Sequence, residues 1–220
     1  LTEIILDREI SMYEPKHFLE TSLPVLHALI EAHPLGTWVT HADGQLAANH
    51  IPFMLDRSRG EFGTLVAHVA RANDVWSARG ESLVVFQGSD AYISPSWYAS
   101  KQEAGKVVPT WNYAVVHAHG RVRVIEDAAW LLRHLADMSA RHEAARELRW
   151  KLSDAPSDFI ERLLPAIVGI EIPITRLTGK WKVSQNRSQA DREGVVAGLR
   201  AQADHESNAM ATLVARHRTS

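Results

Sequence analysis

The sequence predicts an α+β fold, a small six-stranded antiparallel β-barrel with peripheral helices. Three observations carry this. Short runs rich in β-branched and aromatic residues follow one another with Gly, Pro and Asp turns between them. No helices alternate with these runs, which argues against a parallel sheet. Helical periodicity is confined to one early stretch and to the later part of the chain.

Taken in order, Ser22 reads as a helix cap and Pro24 suits the first turn; Leu26, Leu29, Ile30 and His33 then recur at helical spacing until Pro34 stops the pattern. Residues 35–40 and 46–55 read as strands joined around Asp43-Gly44, a strong hairpin signal. Residues 64–69 form a third strand, entered through Gly63. The apolar run at 82–87 is a buried strand, and Gly88-Ser89-Asp90 turns it into a further strand at 91–94. Residues 110–126 are the longest strand candidate, with Gly120 a natural bend or bulge. Asp127 caps a helix bearing Trp130, Leu131, Leu135 and Met138, and a second helix begins near 153–157 and is cut short by Pro165. Residues 169–177 return to strand character, with Ile170, Ile172 and Ile174 on one side; Pro173 places this strand at a sheet edge. A last helix covers 189–203 with Val195, Val196 and Leu199 on its apolar face.

The chain's 220 residues suffice for one domain with a sizeable core, or one with a small satellite. Hydrophobic residues at 45% and charged residues at 23% give a globular rather than a disordered mixture. A formal net charge of -2 supplies no overall field toward nucleic acid. The absence of cysteine excludes disulfides, thiolate metal sites and thiol catalysis, and suits a reducing, cytoplasmic setting. No apolar run reaches the roughly 18 residues of a membrane span, so no membrane partner is expected. The expected organisation is an extension at 1–11 ahead of a natural start at Met12, a domain at 12–203, and a polar, fraying tail at 204–220.

No dinucleotide fingerprint, P-loop, HExxH or GxSxG is present, so chemistry must come from strand faces and turns. His117, His119, Arg121 and Arg123 share one strand parity, opposite Ala114, Val116, Ala118, Val122 and Val124. That face could chelate a metal, hold a phosphate, or simply meet solvent; without a third ligand at a suitable spacing, no metal is expected. A-A-N-H-I-P at 47–52 and A-H-V-A-R-A-N at 67–73 interrupt apolar strands with polar groups, offering amides, imidazoles and a guanidinium to a flat phosphorylated ring. Structural histidines, satisfied by neighbours, would look the same. A third region is aromatic and basic: Trp97, Tyr98, Lys101, Lys106, Trp111 and Tyr113, echoed by Lys180-Trp181-Lys182 and Arg187.

Several segments in one order carry a resemblance: MYEPKHF from Met12, HPLGT from His33, ANHIPF from Ala48, GTLVAHVARAN from Gly63, LVVFQGSDAYISPSWY from Leu83, KVVPTWNYAVVHAHG from Lys106 and VGIEIPITRLTGKWKVSQNR from Val168. Together they resemble the PaiB-like family of FMN-binding transcriptional regulators. The resemblance implies the flavin-reductase/pyridoxamine-oxidase-like split barrel, a homodimer, and FMN at the subunit interface. It implies a ring edge near Asn49 and His50 and a phosphate near His68, Arg71 and Asn73, with Lys180, Gln185 and Arg187 completing the pocket. Trp38, Asp74 and Ala99 depart from the family's pattern, and Asp74 could compete with a phosphate for Arg71. The functions in view are regulation, with DNA as a further partner for which the basic strand face and the Arg216, Arg218 tail are the positive features, a flavin-dependent oxidoreductase, or a haem-binding barrel.

Overall fold

A computed structural model describes residues 12–42, 44–78 and 80–217. The chain enters through a 3-10 turn into a two-residue strand, β1 (Leu19–Glu20). The helix expected after Ser22 follows as α1 (Leu23–Ala32), with Leu26, Leu29 and Ile30 buried. β2 (Leu35–Ala42) and β3 (Gln45–Pro52) pair as a hairpin whose Gly44 adopts the left-handed backbone, φ +76°, that such a tight turn favours. Asp43 lies outside the described residues, as does the predicted extension at 1–11. Next come β4 (Met54–Asp56), β5 (Thr64–Ala70), β6 (Glu81–Ile93), α2 (Ser100–Ala104), β7 (Thr110–Arg121), β8 (Arg123–Ile125), α3 (Ala128–Glu143), α4 (Ser157–Leu163), β9 (Ile167–Lys182), α5 (Gln189–Ala201) and α6 (His205–Arg216).

Among the described residues there are nine strands rather than six, and each difference has a local cause. Phe53 breaks the 46–55 run because its amide donates back to the Pro34 carbonyl at 2.8 Å. The predicted turn at 88–90 is a bulge inside one long β6, where the register against β7 shifts between Gln87 and Asp90. The register of β7 against β9 shifts at the expected place, between His119 and Gly120, and a side chain at Gly120 would run into the Pro173 backbone. This break also cuts the predicted basic stripe: His117 and His119 stay on β7, whereas Arg123 passes to β8 and faces Glu171.

The edge position expected for Pro173 is not what forms. β9 is the central strand, pairing with β1, β5, β7 and β8. Proline is tolerated because it sits where the ladders to both β5 and β7 end, so no strand asks it for an amide.

The sheet runs β3-β2-β6-β7-β9-β5-β4. The two ends of this path are consecutive in sequence, separated only by Phe53, and β3 touches β5; the sheet therefore curls into an antiparallel barrel that stays split at that seam. Trp38, Phe53 and Phe86 meet edge to face inside it, at 6.2 and 6.0 Å between ring centroids, packed with Val84, Val116, Ile170 and Ile172.

Helices close the remaining openings. Asp127 caps α3 as predicted, accepting from the Trp130 amide at 2.6 Å. Ser188 caps α5, where Gly194 and Gly198 leave the space that Trp97 fills. The tail expected to fray from residue 204 is instead α6. Asp204 caps it, accepting from the Ser207 amide at 2.8 Å, and Met210, Ala211 and Val214 are fully buried. Arg218 lies outside the described residues.

Candidate functional site

The seam of the barrel gathers two of the predicted side chains. Asn49, on edge strand β3, accepts a hydrogen bond from the Asn73 amide at 3.0 Å, so the pair latches β3 to the segment leaving β5. Asn73 is itself held, its oxygen accepting from the Val75 amide to cap the following 3-10 turn. Two residues upstream, Arg71 is clamped to the chain just before β9. Its amide donates to Ala166 O at 2.8 Å and its Nε to Pro165 O at 2.8 Å. Nη1 meets the Glu126 carboxylate at 2.7 Å. Asp74, the expected competitor, makes no ion pair with Arg71; its carbonyl accepts from Ser77 as part of the turn, and Glu126 takes the role instead.

A second surface is the outer face of the sheet. Cross-strand partners share a face, so the registers place His50, Thr37, Val85, His117 and Thr178 in one row across five strands. Ala48, Val39, Leu83, His119 and Arg176 form the next row. On the other side of the histidine row lie Gln87, Val115 and Lys180, then Asp90, Tyr113 and Lys182. Several apolar members of this face or its rim stand in solvent: Leu46 is 76% exposed, Leu35 61% and Trp111 50%. A crevice of about 530 Å³ opens here, lined by Met12, Gln87, Asp90, Trp111, Tyr113, Val115 and His117. Asp90 orients two of its walls, accepting from Gln87 and from the Trp111 indole at 2.9 Å each. Lys180 is buried. Its ammonium donates to Tyr13 O at 2.7 Å and lies 5.4 Å from the centre of the Tyr113 ring. Burial, then neighbouring His119, Arg176 and Lys180, hold the His117 pKa below the ordinary imidazole value, which favours its neutral form. Burial, with Lys180 and Arg187 adding to it, also lowers that of Lys182.

His68 points elsewhere. Under α3 its Nδ1 lies 3.1 Å from Nε2 of His134, whose ring stacks on Trp130 at 5.2 Å. One ring must donate and the other accept, so the accepting ring is neutral. Burial, and then the neighbouring His68, push the His134 pKa down to about 4. Beside them Arg59 grips buried Glu171 with two bonds of 2.6 Å, and the Trp130 indole donates to the same carboxylate at 3.2 Å.

Of the eight predicted cofactor residues, the structure thus brings Asn49 and Asn73 together at the seam, ties Arg71 to Glu126 and the start of β9, carries His50 and Lys180 to the outer sheet face, and puts His68 beneath α3. Gln185 and Arg187 follow β9: Gln185 brackets the turn by accepting from the Val183 amide and donating to Trp181 O, while Arg187 lies 4.7 Å over the Tyr98 ring. Glu126, His134, Gln87 and Asp90 were missed. Glu126 and His134 find their partners far along the chain, and only the aromatic 110–113 segment hinted at the crevice. Among the described residues no three His, Asp or Glu side chains converge as a metal site would require. No described helix is long and apolar enough to cross a membrane.

The fold matches solved structures. A FAD and heme binding protein from Mycobacterium smegmatis superposes with a TM-score of 0.56 at 19% identity, covering 74% of this chain and 73% of that one. The flavocytochrome Anf3 from Azotobacter vinelandii gives the same score at 15% identity, covering 74% and 69%. In sequence, an uncharacterized protein of Aspergillus fumigatus is 34% identical, spanning 86% of this chain and 90% of its own length. Protease synthase and sporulation protein PAI 2 of Bacillus subtilis is 31% identical, spanning 92% and 96%. Residues 12–176 match the family described as "Putative FMN-binding domain". On that match and the PAI 2 similarity, the chain belongs to the PaiB-like family of FMN-binding split-barrel proteins.

Proposed function

We propose that two copies of the chain pair through the outer face of β2, β6, β7 and β9 and hold FMN in the crevice between them, as a flavin-responsive regulatory protein. The observation that carries this reading is the outer face itself. It combines exposed apolar side chains, an aromatic-walled crevice and the cations Arg176, Lys180 and Lys182 on one sheet. A monomer gains nothing by leaving such a patch in water. A crevice of about 530 Å³ lies within the usual range for a bound cofactor.

The residues expected to hold the group lie outside that crevice, and on this reading the pairing of two subunits brings them to it around FMN. Asn49 and Asn73 would supply amides for a ring edge, while His50 lies on the opposite face of β3, toward the subunit pairing surface. Arg71, fixed from behind by backbone carbonyls, presents a guanidinium edge suited to a phosphate. Lys180, Gln185 and Arg187 come from the β9 end, and His68 stands behind the seam. FMN supplies the electron-carrying ring; the protein orients it and tunes its surroundings.

The regulatory role is supported by the similarity to the sporulation protein PAI 2. DNA as a direct partner has only the interrupted basic stripe and the arginines Arg216 and Arg218 behind it, on a chain of net charge -2. A second reading, flavin-dependent oxidoreductase, is favoured by His117, whose imidazole lines the crevice and could pass a proton. Haem is the third, supported by the names of the two structural neighbours.

Absorbance of the purified protein separates these readings. Flavin bands, released on heating and restored by FMN, are expected; a Soret band would favour haem, and a colourless protein that binds neither FMN nor FAD at micromolar levels would end the proposal. Gel shift at physiological salt tests DNA.

A further inference from the structure

The guanidinium of Arg71 is tied down on two sides and negotiable on the third. Nε and Nη2 donate to the carbonyls of Pro165 and Ile167, at 2.8 and 3.4 Å. These acceptors are neutral and belong to the backbone, so they fix the plane of the group without cancelling its charge. Among the described residues the charge is met by Glu126 alone, at 2.7 Å, and both side chains are substantially exposed. Glu126 also sits next to a rigid point, since Asp127 is locked as the α3 cap. Its backbone is therefore held while its carboxylate, 64% exposed, is able to rotate away.

A carboxylate and a phosphate monoester use the same edge of a guanidinium, and both cannot hold it at once. We propose that Glu126 is an internal competitor at an anion subsite on Arg71: FMN binds there by displacing the Glu126 carboxylate, and Glu126 thereby sets how strongly the chain prefers phosphorylated flavin over riboflavin. This rests on the reading that FMN docks with its phosphate at Arg71. Riboflavin lacks the phosphate, leaves the ion pair intact and is indifferent to it. The competitor is Glu126 and not the nearer residue in sequence, Asp74, which pairs with neither.

An exposed ion pair of this kind holds by a factor of about two to five. Once displaced, the carboxylate still repels the incoming dianion. Glu126→Gln is therefore expected to tighten FMN about three- to tenfold, to leave riboflavin within twofold, and to exceed the effect of Asp74→Asn, which removes a comparable charge nearby. The experiment is a fluorescence titration of the full chain and these variants with FMN and with riboflavin, with Arg71→Ala alongside. Wild-type protein that binds no FMN overturns the flavin reading itself. FMN that binds wild type and Arg71→Ala alike removes the subsite. FMN lost in Arg71→Ala but unchanged in Glu126→Gln, or tightened equally by Asp74→Asn, overturns the competition while leaving the flavin reading in place.

Discussion

Lowering the pH should weaken the fold through one imidazole pair. His134 is 5% exposed, stacked on Trp130 and hydrogen-bonded to His68, and its pKa falls from 6.5 to about 4. The unfolded chain therefore takes up a proton there more readily than the folded one. The stability this group contributes is fully present above pH 6.5 and is lost as the pH falls toward 4. Between pH 8 and pH 5 the loss from His134 alone comes to about 2 kcal/mol, or roughly 4–8 °C in Tm for a chain of this size. His68, also lowered by burial, adds in the same direction. The variant that isolates the effect is His134→Gln, which keeps a hydrogen-bonding group toward His68 but does not titrate. Urea unfolding followed by circular dichroism at pH 8, 7, 6 and 5 gives both stability curves. The variant starts lower, because it loses the stack on Trp130, but its curve should be flatter by about 2 kcal/mol across that range. Parallel curves would mean that the pair does not exist in the folded protein as described.

Two further substitutions test the C-terminal helices. Met210→Ala, at a fully buried position of α6, should cost about 2–5 kcal/mol in denaturant unfolding; a loss below 0.5 kcal/mol would return this segment to the status of a frayed tail. Gly198→Ala drives a methyl into the Trp97 ring and should cost about 1–3 kcal/mol, with much of the loss absent when Trp97→Ala is already in place; additive losses would show that the two do not touch.

What the sequence made legible was what neighbouring residues decide. Asp127 announces a helix start because a cap bonds to an amide only three residues away. Gly120 announces a bend because the backbone there has no room for a side chain. α6 was missed because its buried stripe is thin, Met210, Ala211 and Val214 amid polar residues, although Asp204 followed by Ser207 was a cap in plain view. Pro173 misled because a missing amide usually marks an edge, and nothing local shows two ladders ending together at one residue.

The candidate site divides the same way. Resemblance supplied Asn49, Asn73 and Arg71, and the fold brings the two asparagines into contact across the seam. Local sequence could not supply Arg71's partner. Asp74 is three residues away and Glu126 is 55, yet the return of the chain after β8 gives Glu126 the contact. Strand alternation sends the adjacent Asn49 and His50 to opposite faces, and the single ring edge implied for both overlooked it.

Native mass spectrometry of the protein with added FMN tests the central claim most directly. A dimer carrying two FMN is predicted, with flavin lost when dilution separates the subunits. A monomer that keeps one FMN at undiminished affinity would contradict it.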